Sequence, residues 1–390
     1  MTTLAEPVVL ARARFLTRPY VRAVAAYLAV RAFGVLVLAL FADTTEHSLL
    51  DRLTAWDGQW YLAIADDGYG GITKGLVDAE GKLAPHTPLA FFPLYPLLLR
   101  VVAALTGTST VFAGLLVSVL AGVAAACALF RLGRMAGGNP RVGLLLVVLW
   151  AGAPMAITLS MVYTEALFTA FAAWALVGVV ERRWLLAALC CIGAGLTRPS
   201  AAVLIGVVAL AAVVVFLRSQ DKWQPLACAV VCPSGLLGYW AWVADRTGDI
   251  RGWFNLEWDG WRTKFDAGAE SAEFIWDKLV TGASVMETLT VFILLLAAVS
   301  AALLPFVLRS RPGRWPLALF GIGMVILVAG TAGLPFAKTR FLLPGFVLLL
   351  PLAIGLANRR PATAIAGAAA FVLVGSWFSA YSLTGWHYAI

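Results

Sequence analysis

The sequence predicts an all-α polytopic membrane protein, and three observations predict it: composition, the continuity of the apolar runs, and the placement of charge. Of the 390 residues, 61% are hydrophobic and 13% charged, with a mean hydropathy of +0.88. A soluble domain carries roughly 25% charged residues. A water-exposed globule is therefore excluded, and so is a disordered chain. The apolar stretches are continuous and rich in Leu, Ala and Val, whereas an outer-membrane barrel alternates apolar and polar residues, so the spans are helices. The net charge of +8 is divided among short loops and forms no single basic face, which excludes nucleic acid as a partner.

Hydropathy places spans near 21–41, 88–107, 110–130, 142–159, 162–180, 184–197, 199–217, 225–243, 288–308, 315–332, 341–357 and 362–383, about twelve within a range of 11–13. The 184–217 stretch is interrupted by Thr197-Arg198-Pro199-Ser200 and reads either as two short helices or as a broken pair that re-enters. With a cytoplasmic N-terminus over residues 1–20, the even-numbered connections are cytoplasmic too. That side then holds 16 basic residues: Arg12, Arg14, Arg18, Arg22, Arg131, Arg134, Arg141, Arg182, Arg183, Arg218, Lys222, Arg309, Arg311, Arg314, Arg359 and Arg360. It holds three acids, Glu6, Glu181 and Asp221. Arg31 and Arg100 fall inside spans, leaving 11 basic and 18 acidic residues outside. This is the positive-inside bias, repeated in every short loop. The first span is long and no A-x-A site follows it, so it reads as a retained helix and not as a cleaved signal peptide. The chain reads as one integral membrane domain, 1–390. Its only sizeable polar segments, the loops 42–87 and 244–287, both lie outside, and chemistry is expected there. No internal repeat is visible, which counts against an inverted-repeat transporter.

The first loop carries Trp56-Asp57-Gly58-Gln59-Trp60-Tyr61 and then Asp66-Asp67. Trp56, Trp60 and Ile64 are spaced i, i+4, i+8, which predicts a short helix lying on the membrane with one apolar face. An apolar setting raises the pKa of a carboxylate and suits it to act as a base; the plain alternative for Asp57 is a helix cap. The loop closes on Pro88-Leu89-Ala90-Phe91-Phe92-Pro93-Leu94-Tyr95-Pro96, whose prolines require neighbours to satisfy the freed carbonyls. Glu165, in Tyr163-Thr164-Glu165, sits at the outer start of a span, either in a polar cavity or compensating the helix N-terminus behind a Thr164 cap. Arg198 reads as its partner, as an anion ligand, or as a snorkelling side chain. Lys338 and Arg340 stand at the outer start of the eleventh span, where two cations beside a helix N-terminus make a phosphate site. Asp57, Glu165, Arg198 and Arg340 are far apart in sequence yet are all assigned to one face. Cys127, Cys190, Cys191, Cys228 and Cys232 lie in apolar runs and read as buried small hydrophobes. His47, His86 and His387 show no metal spacing. Asp66 and Asp67 are the candidate oxygen ligands if a divalent cation is used, against simple solvation. A cytosolic nucleotide-binding loop is absent, so a phosphorylated donor is expected to be lipid-linked.

These segments resemble the PIG-V-type mannosyltransferase family of the GT-C glycosyltransferase superfamily, in the form its bacterial members take. The matching pieces are Trp56-Asp57 with Trp60-Tyr61, Ile64-Ala65, Gly68-Tyr69, Ala90-Phe91-Phe92-Pro93, Tyr163-Thr164-Glu165-Ala166-Leu167-Phe168, Thr197-Arg198-Pro199-Ser200 and Arg340-Phe341. They occur in the family's order between about residues 50 and 350. The resemblance implies a GT-C fold with its site at the extracytoplasmic face of the plasma membrane. It implies a polyprenyl-phosphate donor, mannose before other polyprenyl-linked sugars such as arabinose or glucose, and transfer with inversion. It places the catalytic base at Asp57. Arg340, helped by Arg198 or Lys338, is then expected to bind the donor phosphate. Glu165, Tyr163, Trp56, Trp60, Tyr61 and His86 are expected to complete the polar site. His86 stands where relatives often carry an acid, and Pro199-Ser200-Ala201 replaces the family's Ser-Asn-Gly, which bears on acceptor contacts. The acceptor itself, a lipid, glycan or protein hydroxyl, is not legible. The alternative reading is a transporter or flippase for a lipid-linked or anionic solute, which would use the same cavity without chemistry.

Overall fold

The structure, a computed structural model, describes residues 5–45, 48–72, 75–218, 223–386 and 388, with side chains from residue 19 onward. His47, Asp221, Lys222 and His387 lie outside the described residues, as do the side chains of Glu6, Arg12, Arg14 and Arg18. The helices run in order α1 (Ala5–Ala42), α2 (Leu49–Leu53), α3 (Asp57–Asp67), α4 (Leu94–Thr106), α5 (Thr110–Gly137), α6 (Pro140–Ala151), α7 (Glu165–Val180), α8 (Trp184–Gly195) and α9 (Ala201–Arg218). They continue as α10 (Trp223–Val231), α11 (Ser234–Thr247), α12 (Gly252–Trp261), α13 (Ala269–Val280), α14 (Val285–Leu308), α15 (Trp315–Gly330), α16 (Lys338–Phe341), α17 (Leu350–Ala357) and α18 (Pro361–Thr384).

Each of the twelve expected spans has a helix or helix pair in its place. Among the described residues, six helices are long and apolar enough to cross a bilayer alone, including Pro19–Ala42, Thr110–Gly137 and Val285–Leu308. A seventh, Pro335–Phe341 with Phe346–Ala357, is bent by 78°. Five others, including α7 (16 residues), α8 and α6 (12 residues each), are shorter. At 1.5 Å per residue a 12-residue helix is about 18 Å long, well short of a ~30 Å hydrocarbon core. The protein is a multi-pass membrane protein in which short helices stop early, and their ends frame the cavity described below.

The bundle is organised around α5, which packs on α1, α4, α6 and α7. Its buried face carries Gly114, Ser118, Ala121, Gly122 and Ala125, small residues that let neighbouring backbones approach without a hydrophobic drive. α7 is apolar all round and almost wholly buried between α5 and α8, as expected of a helix with no polar face. The lipid-facing side is an array of exposed large apolar residues such as Leu36 and Leu40 on α1, Leu120 on α5, Leu296 and Phe306 on α14 and Ile365 on α18. At one end of the bundle a bidentate pair joins Arg131 of α5 to Glu181 after α7, at 2.5 and 2.8 Å. The 184–217 stretch is two packed helices, α8 and α9, joined by the Thr197–Ser200 turn. Four of the five cysteines are buried in or beside α8 and α10, and all five are free.

The two long loops meet over the other end. Ala79 N–H donates to Gly260 O at 3.1 Å, and Arg262 pairs with Glu80 at 2.8 Å. Residues 264–266 pair with 330–332 through an antiparallel bridge between Phe265 and Thr331. Gly333, at φ +80°, allows its N–H to reach both Glu270 carboxylate oxygens at 3.0 and 3.1 Å; a Cβ there would lie 2.8 Å from Trp261 O. The carbonyls around the proline-rich segment are satisfied by neighbours. Tyr239 O–H reaches Leu89 O and Phe91 O at 2.8 and 2.7 Å, and Tyr69 O–H reaches Phe91 O at 2.8 Å.

One expectation is corrected here. α3 does not lie with a Trp56–Trp60–Ile64 face on the membrane. Trp60 and Ile64 are 5% and 4% exposed and pack inward, with Trp60 stacked on Phe91 at 5.2 Å. Trp56 precedes the helix at φ +56°. The α3 face packs instead on α4 and on Phe91 just before it, which removes its apolar side chains from solvent.

The orientation from charge predicts that both loops react with a membrane-impermeant thiol reagent on intact cells. Lys82→Cys and Glu273→Cys place a thiol at exposed positions of the two loops. Labelling of both without permeabilisation is the expected result; protection of both would reverse the orientation.

Candidate active site

Asp57 is the first residue of α3 and so does not cap it. Trp56 occupies the cap position in a conformation rarely adopted by non-glycine residues, φ +56° and ψ −122°. Such backbone costs of order 1–3 kcal/mol and persists only where surroundings over-determine it. Here the surroundings are Tyr163, whose hydroxyl accepts the Asp57 N–H at 3.2 Å, and Arg340, whose Nη1 donates to Asp57 Oδ2 at 2.5 Å. Oδ1 of Asp57 has no hydrogen-bond partner among the described residues, and the residue lines a cavity of about 350 Å³. The apolar setting expected for Asp57 is thus replaced by an ion pair.

Arg340 is 3% exposed and lies over the Tyr163 ring at 5.2 Å and the Phe341 ring at 4.8 Å, contacts a planar cation makes well. Its Nε stands 3.8 Å from Glu165 Oε1. Glu165 is fully buried at the N-terminus of α7 and is paired to Arg198 Nη1. Thr164 does not cap α7 with its side chain. It accepts a second hydrogen bond from Arg198 Nη1 at 3.1 Å and approaches Tyr61 Oη at 3.5 Å. Four distant segments therefore meet in one chain of charges, Asp57–Arg340–Glu165–Arg198. Lys338 Nζ donates to Ser271 Oγ and to Thr331 O, the latter at 2.7 Å, and also lines the cavity.

Of the residues the sequence singled out, Asp57, Tyr61, Arg198, Lys338 and Arg340 line the cavity, while Glu165 and Tyr163 brace it from behind. Trp56 and Trp60 do not line it. His86 is exposed at the start of a short 3₁₀ turn and does not line the cavity; the sequence brought it in only by its place before Phe91-Phe92-Pro93. Asp66 and Asp67 are exposed at the far end of α3. Asp66 accepts from Thr110 at 3.2 Å in an open depression beside Arg100, away from Asp57. Helix periodicity separates them: nine residues carry the chain more than two turns along α3.

Sequence reasoning missed the opposite wall. Trp240 of α11, Trp253, Phe254, Glu257 and Trp261 of α12, and Lys264 all line the cavity. The signal was present in the spacing: Trp253, Glu257 and Trp261 recur at i, i+4, i+8 and share one helix face. Burial pushes the Glu257 carboxyl up to about 8, with the Asp57 charge adding to the rise and Arg198 opposing it. Four cations and two carboxyls thus face an otherwise aromatic and aliphatic space, a composition that suits an anionic ligand with an apolar portion.

No family model matches the chain. A stretch of 150 residues is 35% identical to GPI alpha-1,6-mannosyltransferase 2 of Mus musculus, covering 36% of this chain and about a quarter (27%) of the mouse protein. The solved structure of ArnT from Cupriavidus metallidurans bound to undecaprenyl phosphate superposes with a TM-score of 0.51 at 14% identity, over 92% of this chain and 75% of that one. The chain has the GT-C fold. The archaeal oligosaccharyltransferase AglB from Archaeoglobus fulgidus, in complex with an inhibitory peptide and a dolichol-phosphate, aligns at a TM-score of 0.50 and 13% identity over 92% of this chain and 56% of that one.

Pairing dominates the electrostatics of this site. Removing one member of a buried pair strands its partner, at about 3–5 kcal/mol. Arg198→Ala, which leaves Glu165 with only the 3.8 Å contact to Arg340, is expected to lower the melting temperature in detergent markedly. Adding Glu165→Gln to it should recover part of the loss. Unchanged melting of the single variant would show that the pair carries no stability.

Proposed function

We propose that this protein is an extracytoplasmic glycosyltransferase of the plasma membrane that moves a sugar, mannose, from a polyprenyl-phosphate donor to a hydroxyl acceptor with inversion. The observation that carries the reading is the cavity itself. One carboxylate with a free oxygen, Asp57, faces a space walled by Arg198, Lys264, Lys338 and Arg340. The motif resemblance, the mannosyltransferase relative, and GT-C neighbours solved with undecaprenyl phosphate or dolichol-phosphate all support it.

The chemistry follows as a single displacement. The acceptor oxygen attacks the sugar C1 from the face opposite the phosphate, the C1–O bond to phosphate breaks, and the configuration inverts. Oδ1 of Asp57 takes the acceptor proton while Oδ2 stays on Arg340, which fixes the direction of the free lone pairs. The departing polyprenyl phosphate gains negative charge among Arg198, Lys264, Lys338 and the remaining face of Arg340. In a water-poor cavity such fixed cations stabilise developing charge far better than solvent does. The prenyl tail stays among the apolar spans. Asp66 and Asp67, the candidate ligands for a divalent cation, stand outside the cavity.

Purified protein incubated with radiolabelled polyprenyl-phosphate-mannose and membrane extract tests the reading, since label transfer separates an enzyme from a flippase. Asp57→Asn preserves shape and removes the proton acceptor, so transfer should fall by about 10²–10⁴-fold. A rate within a few-fold of wild type would remove Asp57 as the base. Arg340 touches both Asp57 and the phosphate space, so Arg340→Ala should lower kcat and raise the donor KM together. Lys338→Ala should act mainly on donor KM. Arg340→Lys should not restore full activity, because a point charge cannot reproduce the planar fork.

A further inference from the structure

α12 stands apart from the chain of ion pairs, and its inward face has a composition of its own. Trp253, Glu257 and Trp261 project from one side of the helix into the cavity, across from Asp57. Both tryptophans are anchored in the aromatic packing of the outer end: Trp253 Nε1 donates to Ala90 O at 3.3 Å, and Trp261 packs edge-on against Phe91 at 5.7 Å. Glu257 is different. Its carboxyl has no hydrogen bond or ion pair among the described residues, although it lies in a site with four cations. Every other carboxylate of the cavity region is paired. A half-buried carboxyl on the same helix face as two indoles, lining the cavity without a protein partner, is a costly arrangement unless a ligand completes it. The ligand must offer hydroxyls to the carboxyl and an apolar face to the indoles. A sugar ring offers both.

We infer that Glu257 is the sugar-recognition residue of the site, its carboxyl hydrogen-bonding hydroxyls of the donor's sugar ring while Trp253 and Trp261 present the apolar walls beside it. The inference rests on the donor reading above and assigns the sugar and the phosphate of the donor to different walls: sugar to α12, phosphate to the cations.

The protonation state fits. With its ionisation pushed up to about 8, Glu257 is mostly a neutral acid at pH 7, able both to donate and to accept. The charged groups that share the cavity with it are Asp57 from α3, Arg198 from the α8–α9 turn, Lys264 from the segment after α12, and Lys338 and Arg340 from α16, with the Tyr61 phenol also lining it. As pH rises through about 8 the carboxyl ionises, loses its donor, and adds negative charge facing Asp57. Preference for the sugar should then fall.

Equilibrium binding to the full-length protein in detergent, without acceptor, tests this with two probes: polyprenyl-phosphate-mannose and bare polyprenyl phosphate. Glu257→Ala should weaken the sugar-bearing lipid by about 10- to 100-fold, the loss expected when a buried hydroxyl contact is removed, and leave the bare lipid unchanged. Glu257→Gln copies the neutral acid with one donor and one acceptor edge. It should keep binding within a few-fold, with a sugar preference that no longer depends on pH between 6 and 9, on the order of one unit and more to either side of the titration. Equal loss for both lipids would make Glu257 a structural or phosphate-facing residue and overturn the inference. So would no loss for either. If wild-type protein binds neither lipid, the donor reading itself falls, which the wild-type titration reveals before any variant is compared.

Discussion

Arg340, buried between Asp57 and Glu165, is the contact on which the loop-covered end of this protein depends. A guanidinium placed in an apolar helix bundle without partners would cost several kcal/mol, and so would each carboxylate. Together they form an alternating series that Arg198 completes. The series draws α3, α7, the α8–α9 turn and α16 to one point, although these are separated by more than a hundred residues at its widest gaps. The local backbone follows from it. α7 begins at Glu165, the α8–α9 turn opens where Arg198 must reach, and the chain bends by 78° after α16. The positive φ of Trp56 turns Asp57 toward the guanidinium.

The same pairing explains why one oxygen of Asp57 is left without a protein partner at the cavity. Had both oxygens of Asp57 been engaged, it would be only a structural anion. Arg340 meets Oδ2, the Tyr163 hydroxyl takes the backbone N–H, and Oδ1 is left toward the open space. Stability and availability are thus divided between two atoms of one side chain. The cations around the space are likewise tied down on one side only. Arg198 spends Nη1 on Glu165 and Thr164, and Lys338 spends two donors on Ser271 and Thr331. What remains faces inward, prepositioned, which is where electrostatic stabilisation is strongest.

The paired loops turn this cluster into an enclosed site. Glu80–Arg262 and Ala79–Gly260 fasten the first loop to the second, and the 264–266 segment is stitched to the end of α15. With these joins in place, the Trp253–Glu257–Trp261 face of α12 forms the wall opposite Asp57.

By itself the sequence determined the membrane class, the twelve apolar segments and the presence of two long loops, because the cost of placing charge and bare backbone in hydrocarbon acts segment by segment. It also pointed to Asp57, Glu165, Arg198, Lys338 and Arg340, since an ionisable residue at the end of an apolar run is conspicuous without any knowledge of its partner. The pairing was decided only by the tertiary structure. Arg340 on Asp57, and Arg198 on Glu165, depend on distances across four segments that no local pattern contains. The same holds for the inward turn of Trp60, for the exclusion of His86, Asp66 and Asp67, and for the α12 wall. The i, i+4, i+8 spacing of α3 and that of α12 are alike in sequence, and each says only that one helix face is special. What that face meets, whether α4, lipid or a cavity, is set by the packing of the whole bundle, because burial is a property of neighbours and not of the residue that is buried.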